Sequence, residues 1–284
     1  MKPASMVTEQ DSAPPEVATE AAPSGSATPA PKLGLIIPTL HEAANIRTVI
    51  DRVRCSLDPL GFPYELIVVD DDSRDGTDGI VQEMAESDAR VHFLGRSGKR
   101  GLGSAVRSGW QHTNAEVLGV IDADLQHPPE LLPQLWEAIE SGSDLALASR
   151  YVSHSVVRKW HRGRYLLSRL AISLAGPLQR PGIYVKDPMS GFFMVRRSCL
   201  ENLALRTEGF KLLLEILVRA NIKSVAEIPF TFGPRMAGAS KARLWVGLDY
   251  LRLLGRLWIQ RAGDGSLPDA EQYGPSSGTG CLRR

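Results

Sequence analysis

Apolar and polar positions fall in alternating blocks along the first half of the chain. LGLIIPTL, from Leu33, is an apolar run that predicts a short buried strand stopped by Pro38. In HEAANIRTVIDRVRCSL, Ile46, Val49, Ile50 and Val53 recur at helical spacing. YELIVVDDDS predicts a second buried strand ending in three aspartates, and DGTDGIVQEMAES a helix capped by Asp75 or Thr77. VHFLG, GLGSAVRSGWQHT, EVLGVIDAD, PELLPQLWEAIES and DLALASRY continue as strand, helix, strand, helix, strand. This alternation predicts an α/β fold with a mostly parallel sheet covered by helices on both faces. The second half is less regular. SRLAISLAG and SCLENLAL predict helices and SVAEIPFTF a strand whose neighbours no pattern fixes.

The two ends differ from this middle. Residues 1–31 are rich in Ala, Pro, Ser and Thr with almost no large apolar residues, so they predict a disordered tail. They contain no apolar core of a signal peptide. Residues 263–284, Gly/Ser/Pro-rich, predict a second disordered tail. Residues 32–241 are then one folded domain, followed by an amphipathic segment at 242–262. In that segment Asp249, Arg252 and Arg256 share a helical stripe, and Leu244, Trp245, Leu248, Leu251, Leu254 and Trp258 fill the rest. Such a face suits a helix lying in a membrane interface, or one docked on the protein's own core. No run reaches the roughly 18 uninterrupted apolar residues of a membrane span.

Composition narrows the classes. Of 284 residues, 43% are hydrophobic and 23% charged, as in ordinary soluble domains. A net charge of +1 provides no global field for nucleic acid. Cys55, Cys199 and Cys281 are scattered and form neither a metal-ligand spacing nor a disulfide framework.

The chemistry concentrates at strand ends. Asp122 and Asp124 close the apolar run of EVLGVIDADLQHPPEL, where open α/β sheets bind ligands. If the strand breaks at Asp122, one carboxylate meets sugar hydroxyls while the other reaches a hard divalent cation that bridges to phosphates. A polar turn would look the same. In VVDDD, Asp71 is the candidate for contact with a base or ribose, and the others suit a solvated turn. GKRGLGSA departs from the phosphate-loop pattern; Gly101 and Gly103 suit either close backbone approach to a ligand or a plain strand–helix turn. From Arg150 to Arg169 there are six basic residues and no acidic one. Arg164 and Ser168, four apart, would share a helical face as a phosphate clamp, or the run is a solvated surface. Arg235 and Lys241 flank two glycines in PRMAGASKA, a segment that could close over a pyrophosphate.

Taken in order, IIPTLHEAANI, IVVDDDSRDGT, GLGSAVRSG, DADLQHPPELLP, ASRY, DPMSGFF and RMAGASK resemble the family 2 glycosyltransferases. More narrowly they resemble the dolichyl-phosphate mannosyltransferase group. The resemblance runs from about Leu33 to Ala242 and implies a type-A glycosyltransferase fold. It implies inverting mannosyl transfer from GDP-mannose to a polyisoprenyl phosphate, with Mg2+ or Mn2+ as cofactor. By resemblance, Pro38, Leu40, Glu42, Val69 and Asp71 line the nucleotide pocket. Asp122, Ala123, Asp124 and Gln126 hold the nucleotide-sugar, with Asp124 and Gln126 as metal ligands. Arg150, Arg235 and Lys241 contact phosphates, and Arg164 and Ser168 meet the acceptor phosphate. Asp122, Asp124 and Arg150 form the catalytic set. Where this family usually reads Pro-Thr-Tyr-Asn-Glu, the chain has Pro-Thr-Leu-His-Glu, and Leu40 offers no ring for stacking. Many relatives also carry C-terminal membrane spans. The resemblance further implies peripheral attachment to the cytoplasmic face of the inner membrane, or of the endoplasmic reticulum in a eukaryote, with a small membrane-anchoring subunit as a partner. Two other readings fit parts of the pattern: a UDP-glucose or other UDP-sugar transferase acting on the same lipids, and a receiver-type signalling module, which also carries a VVDDD strand.

Overall fold

A computed structural model of the chain describes residues 30–98, 101–152, 172–179, 182–206, 211–231 and 252–259. Residues 1–29 of the first predicted tail, the whole second tail, the basic run from residue 153 to 169, Arg235, Lys241 and most of the 242–262 segment lie outside them.

The expected alternation is present through the first half. Strands β1 (Leu33–Thr39), β2 (Tyr64–Asp70), β3 (Val91–Gly95), β4 (Val117–Val120) and β5 (Leu145–Ser149) are separated by helices. These are α1 (Ile46–Leu57), α2 (Thr77–Ser87), α3 (Leu102–Gln111) and α4 (Leu132–Glu140). The second half adds β6 (Phe193–Arg196), α5 (Leu212–Arg219) and β7 (Val225–Pro229). The seven strands form one sheet in the order β3-β2-β1-β4-β6-β5-β7. Only β6 runs against the others.

Two expectations need correction. Pro38 does not stop β1, which continues through Thr39 with Pro38 opposite Val69. The β4 pairing ends at Ile36, and Thr39 O accepts from Asp71 N on the β2 side. In a strand, alternate residues face the same neighbour, so the missing N–H of Pro38 points where no ladder bond would form. SCLENLAL is not a regular helix: a short 3-10 turn at Arg197–Leu200 leads into irregular chain. The helix of this region is α5 instead. Its sequence, LLLEILVR, is buried from Leu212 to Leu217, so it shows no polar stripe to mark it.

Two apolar layers cover the sheet. One packs α1, α2 and α4 through Ile46, Ile50, Met84, Leu135 and Trp136 against Leu35, Ile37, Leu66 and Val68. The other packs α3 and α5 through Val106, Trp110, Leu213 and Ile216 against Ile36, Ile67, Leu118 and Leu147. Each such side chain, nearly or fully buried, contributes roughly 1.5–3 kcal/mol relative to exposure. Gly109 lets α3 approach closely, since a Cβ there would stand 2.8 Å from Ile36. The order β2-β1-β4 reverses between β1 and β4. The crevice beyond the carboxyl ends of those strands is where open sheets of this kind take ligands.

Candidate active site

The site is built by four chain segments arriving at one edge. Three of them follow β1, β2 and β4. Each turns sharply through a left-handed residue: His41 (φ 57°), Asp72 (φ 58°) and Leu125 (φ 60°). Such backbone is costly for side chains with a Cβ and persists where surrounding bonds hold it. The β1 and β2 loops supply those bonds to each other. Thr39 Oγ1 donates to Asp70 (2.9 Å), Ser73 N to Asp70 (2.8 Å), and His41 N to Ser73 Oγ (2.8 Å). Glu42 accepts from Asn45 Nδ2 at 2.8 Å, and its carbonyl accepts the first amide of α1.

The three aspartates of VVDDD divide their work. Asp70 ties the loops together, and Asp72 pairs with the exposed Arg74. Asp71, 5% exposed, faces the start of α3. Its carboxylate accepts from Arg96 Nε (2.8 Å) and from Gly101 N (2.9 Å), where Gly101 has φ 149°. Arg96 also reaches Ser104 Oγ at 3.1 Å. The sequence reading did not include Arg96. A lone arginine after a short strand carries no motif, although its place in RSGKRG beside the glycine loop was a usable hint.

β4 ends at Val120, so Asp122 and Asp124 follow on a turn rather than sharing one strand face. Asp124 Oδ1 accepts from Gln126 N at 3.1 Å, which orients its carboxylate over the turn. Ala123 and Asp124 are buried, while Asp122 and Gln126 are partly exposed. His127 lies beneath them with its Nδ1 3.3 Å from Asp122 Oδ2. Burial pushes the His127 imidazole down to about 4; Asp124 and Asp187 oppose that shift and Arg150 adds to it. The ring is therefore neutral near pH 7 and poorly suited to act as a base.

The fourth segment arrives because β6 is antiparallel. Val120 pairs with Phe193, so the residues preceding Phe193 extend past the end of β4. This places Asp187, Ser190 and Gly191 against the acidic turn. Arg150, just after β5, donates to Asp187 through Nε and Nη2 (2.7 Å each) and through its backbone N (3.0 Å). Burial opposes the Arg150 charge, but the Asp187 carboxylate holds the guanidinium protonated. Lys211, at the start of α5, donates to Met189 Sδ at 3.0 Å on the same turn. Burial draws its amine down to about 8; Arg150 adds to the shift and Asp187 opposes it. Lys211 is a second residue the sequence reading missed.

The structure thus gathers Pro38, Leu40, Glu42, Val69, Asp71, Asp122, Ala123, Asp124, Gln126 and Arg150 at the carboxyl edge of one sheet. Arg164, Ser168, Arg235 and Lys241 lie outside the described residues. Among the described residues no three His, Cys, Asp or Glu side chains cluster as a metal cage. The acidic turn offers oxygen donors from Asp124 and Gln126. That fits a hard cation that takes few protein ligands and completes its shell with phosphate and water.

Residues 35–204 match the model of glycosyl transferase family 2. The chain belongs to this family. The match rules out the receiver-module reading. Curated relatives include a dolichol-phosphate mannosyltransferase of Pyrococcus furiosus, 43% identical over 80% of this chain and 63% of its own length. The chain therefore spans less than two thirds of that relative. A dolichol-phosphate mannosyltransferase of Saccharomyces cerevisiae is 35% identical over 82% of the chain and 89% of its length. A polyprenol monophosphomannose synthase of Mycolicibacterium smegmatis is 37% identical over 73% and 79%. Among solved structures, glucosyl-3-phosphoglycerate synthase from Mycobacterium tuberculosis with UDP superposes with a TM-score of 0.59 at 20% identity, over 82% of this chain and 80% of that one. The same enzyme with Mg2+ and UDP gives 0.53 at 22%, over 82% and 80%. At these identities the likeness speaks for the fold, which is the expected α/β glycosyltransferase architecture.

Proposed function

We propose that this glycosyltransferase moves a mannosyl group from GDP-mannose to a polyisoprenyl phosphate with inversion at the anomeric carbon. The observation that carries the reading is the joining, at one sheet edge, of the β2-end Asp71, the Asp122–Gln126 turn and the Asp187-held Arg150. Relatives named for lipid-phosphate mannosylation, similar over most of the chain, support this substrate class.

The chemistry needs little from side chains beyond placement and charge. An acceptor phosphate oxygen attacks the anomeric carbon and forms the new C–O bond. The bond from that carbon to the β-phosphate oxygen breaks, and GDP leaves with the electron pair. A lipid monophosphate carries about −1.5 to −2 charges near pH 7 and is already a nucleophile, so no general base is required. That agrees with a neutral, buried His127. Asp124 and Gln126 would hold a divalent cation, which supplies charge neutralisation to the departing diphosphate. Asp122 accepts hydrogen bonds from donor hydroxyls. Arg150 supplies positive charge to phosphate oxygens, and its geometry is fixed in advance by Asp187.

Among the described residues no helix is long and apolar enough to cross a membrane. The acceptor's tail stays in the bilayer, so the site works at a membrane surface, with a small membrane subunit as a reasonable partner. A second donor reading, UDP-glucose, draws on Leu40, which offers no aromatic face at the base pocket. Direct competition of GDP-mannose and UDP-glucose with a polyprenyl phosphate acceptor, read by mass spectrometry, tests both. Lipid-phosphate hexose formed from GDP-mannose is the expected result; product from UDP-glucose alone overturns it.

A further inference from the structure

The Asp122 carboxylate lies in a slot with two walls. On one side His127 Nδ1 stands 3.3 Å from Oδ2. On the other is the backbone of Gly191, where a Cβ would come within 3.0 Å of Oδ2 and 3.3 Å of Oδ1. Glycine leaves just the room the carboxylate occupies; a methyl group would force the aspartate to move.

Both walls are tied to the sheet rather than to loose loops. The His127 ring packs near Phe192 and Phe230, with centroids 5.6 Å from each. All three residues are at most 5% exposed. Pro128 restricts the backbone of His127 to extended conformations. Next to Gly191, Ser190 Oγ donates to Ala148 O at 2.7 Å, and Phe192 O accepts from Ala148 N at 2.9 Å. The glycine is therefore pinned to the end of β5.

The Asp122 side chain itself retains 30% of its exposure, so the mouth of the slot is open to a ligand. A carboxylate beyond a strand end has a broad torsional range about its last bond. Held between two fixed walls, it presents its oxygens in one orientation. Displacements of about 1 Å in a positioning group cost on the order of 100-fold in rate.

We propose that His127 and Gly191 are positioning residues for the donor: together they set the rotamer of Asp122, which in turn fixes the donor sugar. This rests on the reading of Asp122 as a donor contact. Neither residue touches the reacting atoms.

Three variants separate positioning from packing. His127→Phe keeps the aromatic ring between Phe192 and Phe230 but removes Nδ1. His127→Asn keeps a polar atom near the place of Nδ1 but removes the ring. Gly191→Ala closes the second wall onto Asp122. His127→Phe and Gly191→Ala are expected to lose about 10- to 100-fold in kcat/KM for the donor, with the KM for lipid phosphate unchanged. His127→Asn should retain more activity than His127→Phe. Wild-type kcat/KM in His127→Phe overturns the proposal, as does greater loss in His127→Asn, the order that a packing role demands. If His127→Phe does not fold, full activity of Gly191→Ala overturns it. The assays use whichever nucleotide-sugar the wild type turns over, so failure of GDP-mannose counts against the donor reading alone. Crystal structures of wild type and Gly191→Ala give a result free of turnover: Asp122 should change rotamer, and an unmoved Asp122 refutes the slot.

Discussion

Arg150 and Asp187 form a two-pronged pair with a third bond from the Arg150 backbone, and the carboxylate has no exposed surface. Asp187 therefore serves the fold and the site at once. Removing one partner of such a pair leaves the other charge buried without compensation. Asp187→Asn is expected to lower stability by about 3 kcal/mol in urea unfolding. It should also lower turnover at least tenfold by freeing Arg150. Unchanged stability with unchanged turnover would show the pair to be incidental.

Asp124→Ala should abolish transfer while leaving the folded structure intact, since its carboxylate lies on a turn outside the sheet. The expected loss is about 100-fold or more, the scale of removing a main electrostatic group from a transition state. Calorimetric titration of Mn2+ in the presence of GDP provides the second readout, and its signal should vanish in the variant. Full activity of the variant, or of wild type in excess chelator, contradicts the assignment.

The Lys211 amine is held near 8 in the folded protein against 10.5 as its ordinary value. Between those pH values the unfolded chain binds more protons, so stability should rise with pH across this window. Below pH 8 both states are protonated and the cost of burying the charge is fully present. Lys211→Met is therefore expected to be more stable than wild type at pH 7, on the order of 1–2 kcal/mol after solvent screening. The advantage should shrink as pH rises from 8 to 10.5. Thermal unfolding of both proteins over this range decides it, and a constant difference would refute the shift.

At residues 252–259, Leu253, Leu254 and Leu257 are buried against Ala175, Leu178 and Leu214. This segment thus docks on the protein's own core through one face. Trp258 and Ile259 remain 51% and 74% exposed, beside the exposed Arg252 and Arg256. A Trp258→Ser/Ile259→Ser double variant should keep its fold by circular dichroism. Its partition onto anionic liposomes at low salt is expected to fall several-fold in co-sedimentation. Wild type remaining in the supernatant would assign this face to a protein partner.

Much of the first half was legible in the sequence because its strands are short apolar runs, two of which lead into acidic residues. The strand ends then fall at one edge by the rules of parallel sheets. VVDDD was readable as a site but not as three separate roles, because nothing local distinguishes an aspartate that braces loops from one that faces Arg96. FMVR was hidden by its length, four residues behind a turn, and LLLEILVR by its uniform burial, which erases periodicity. Arg96 and Lys211 escaped for another reason. Each gains its meaning from a long-range neighbour, Asp71 or Met189, that no spacing along the chain announces.

The reversed strand β6 has a consequence for how the molecule is made. It lies between β4 and β5, so the centre of the sheet is completed by residues 193–196. On a ribosome, β4 and β5 emerge with an open gap between them and wait for chain made much later. Contacts of such long sequence separation are slow to form, and the waiting strands expose apolar edges. A fragment ending after β5 should therefore aggregate rather than persist as a folded half, so the candidate site cannot mature ahead of the segment that carries Asp187 and Gly191.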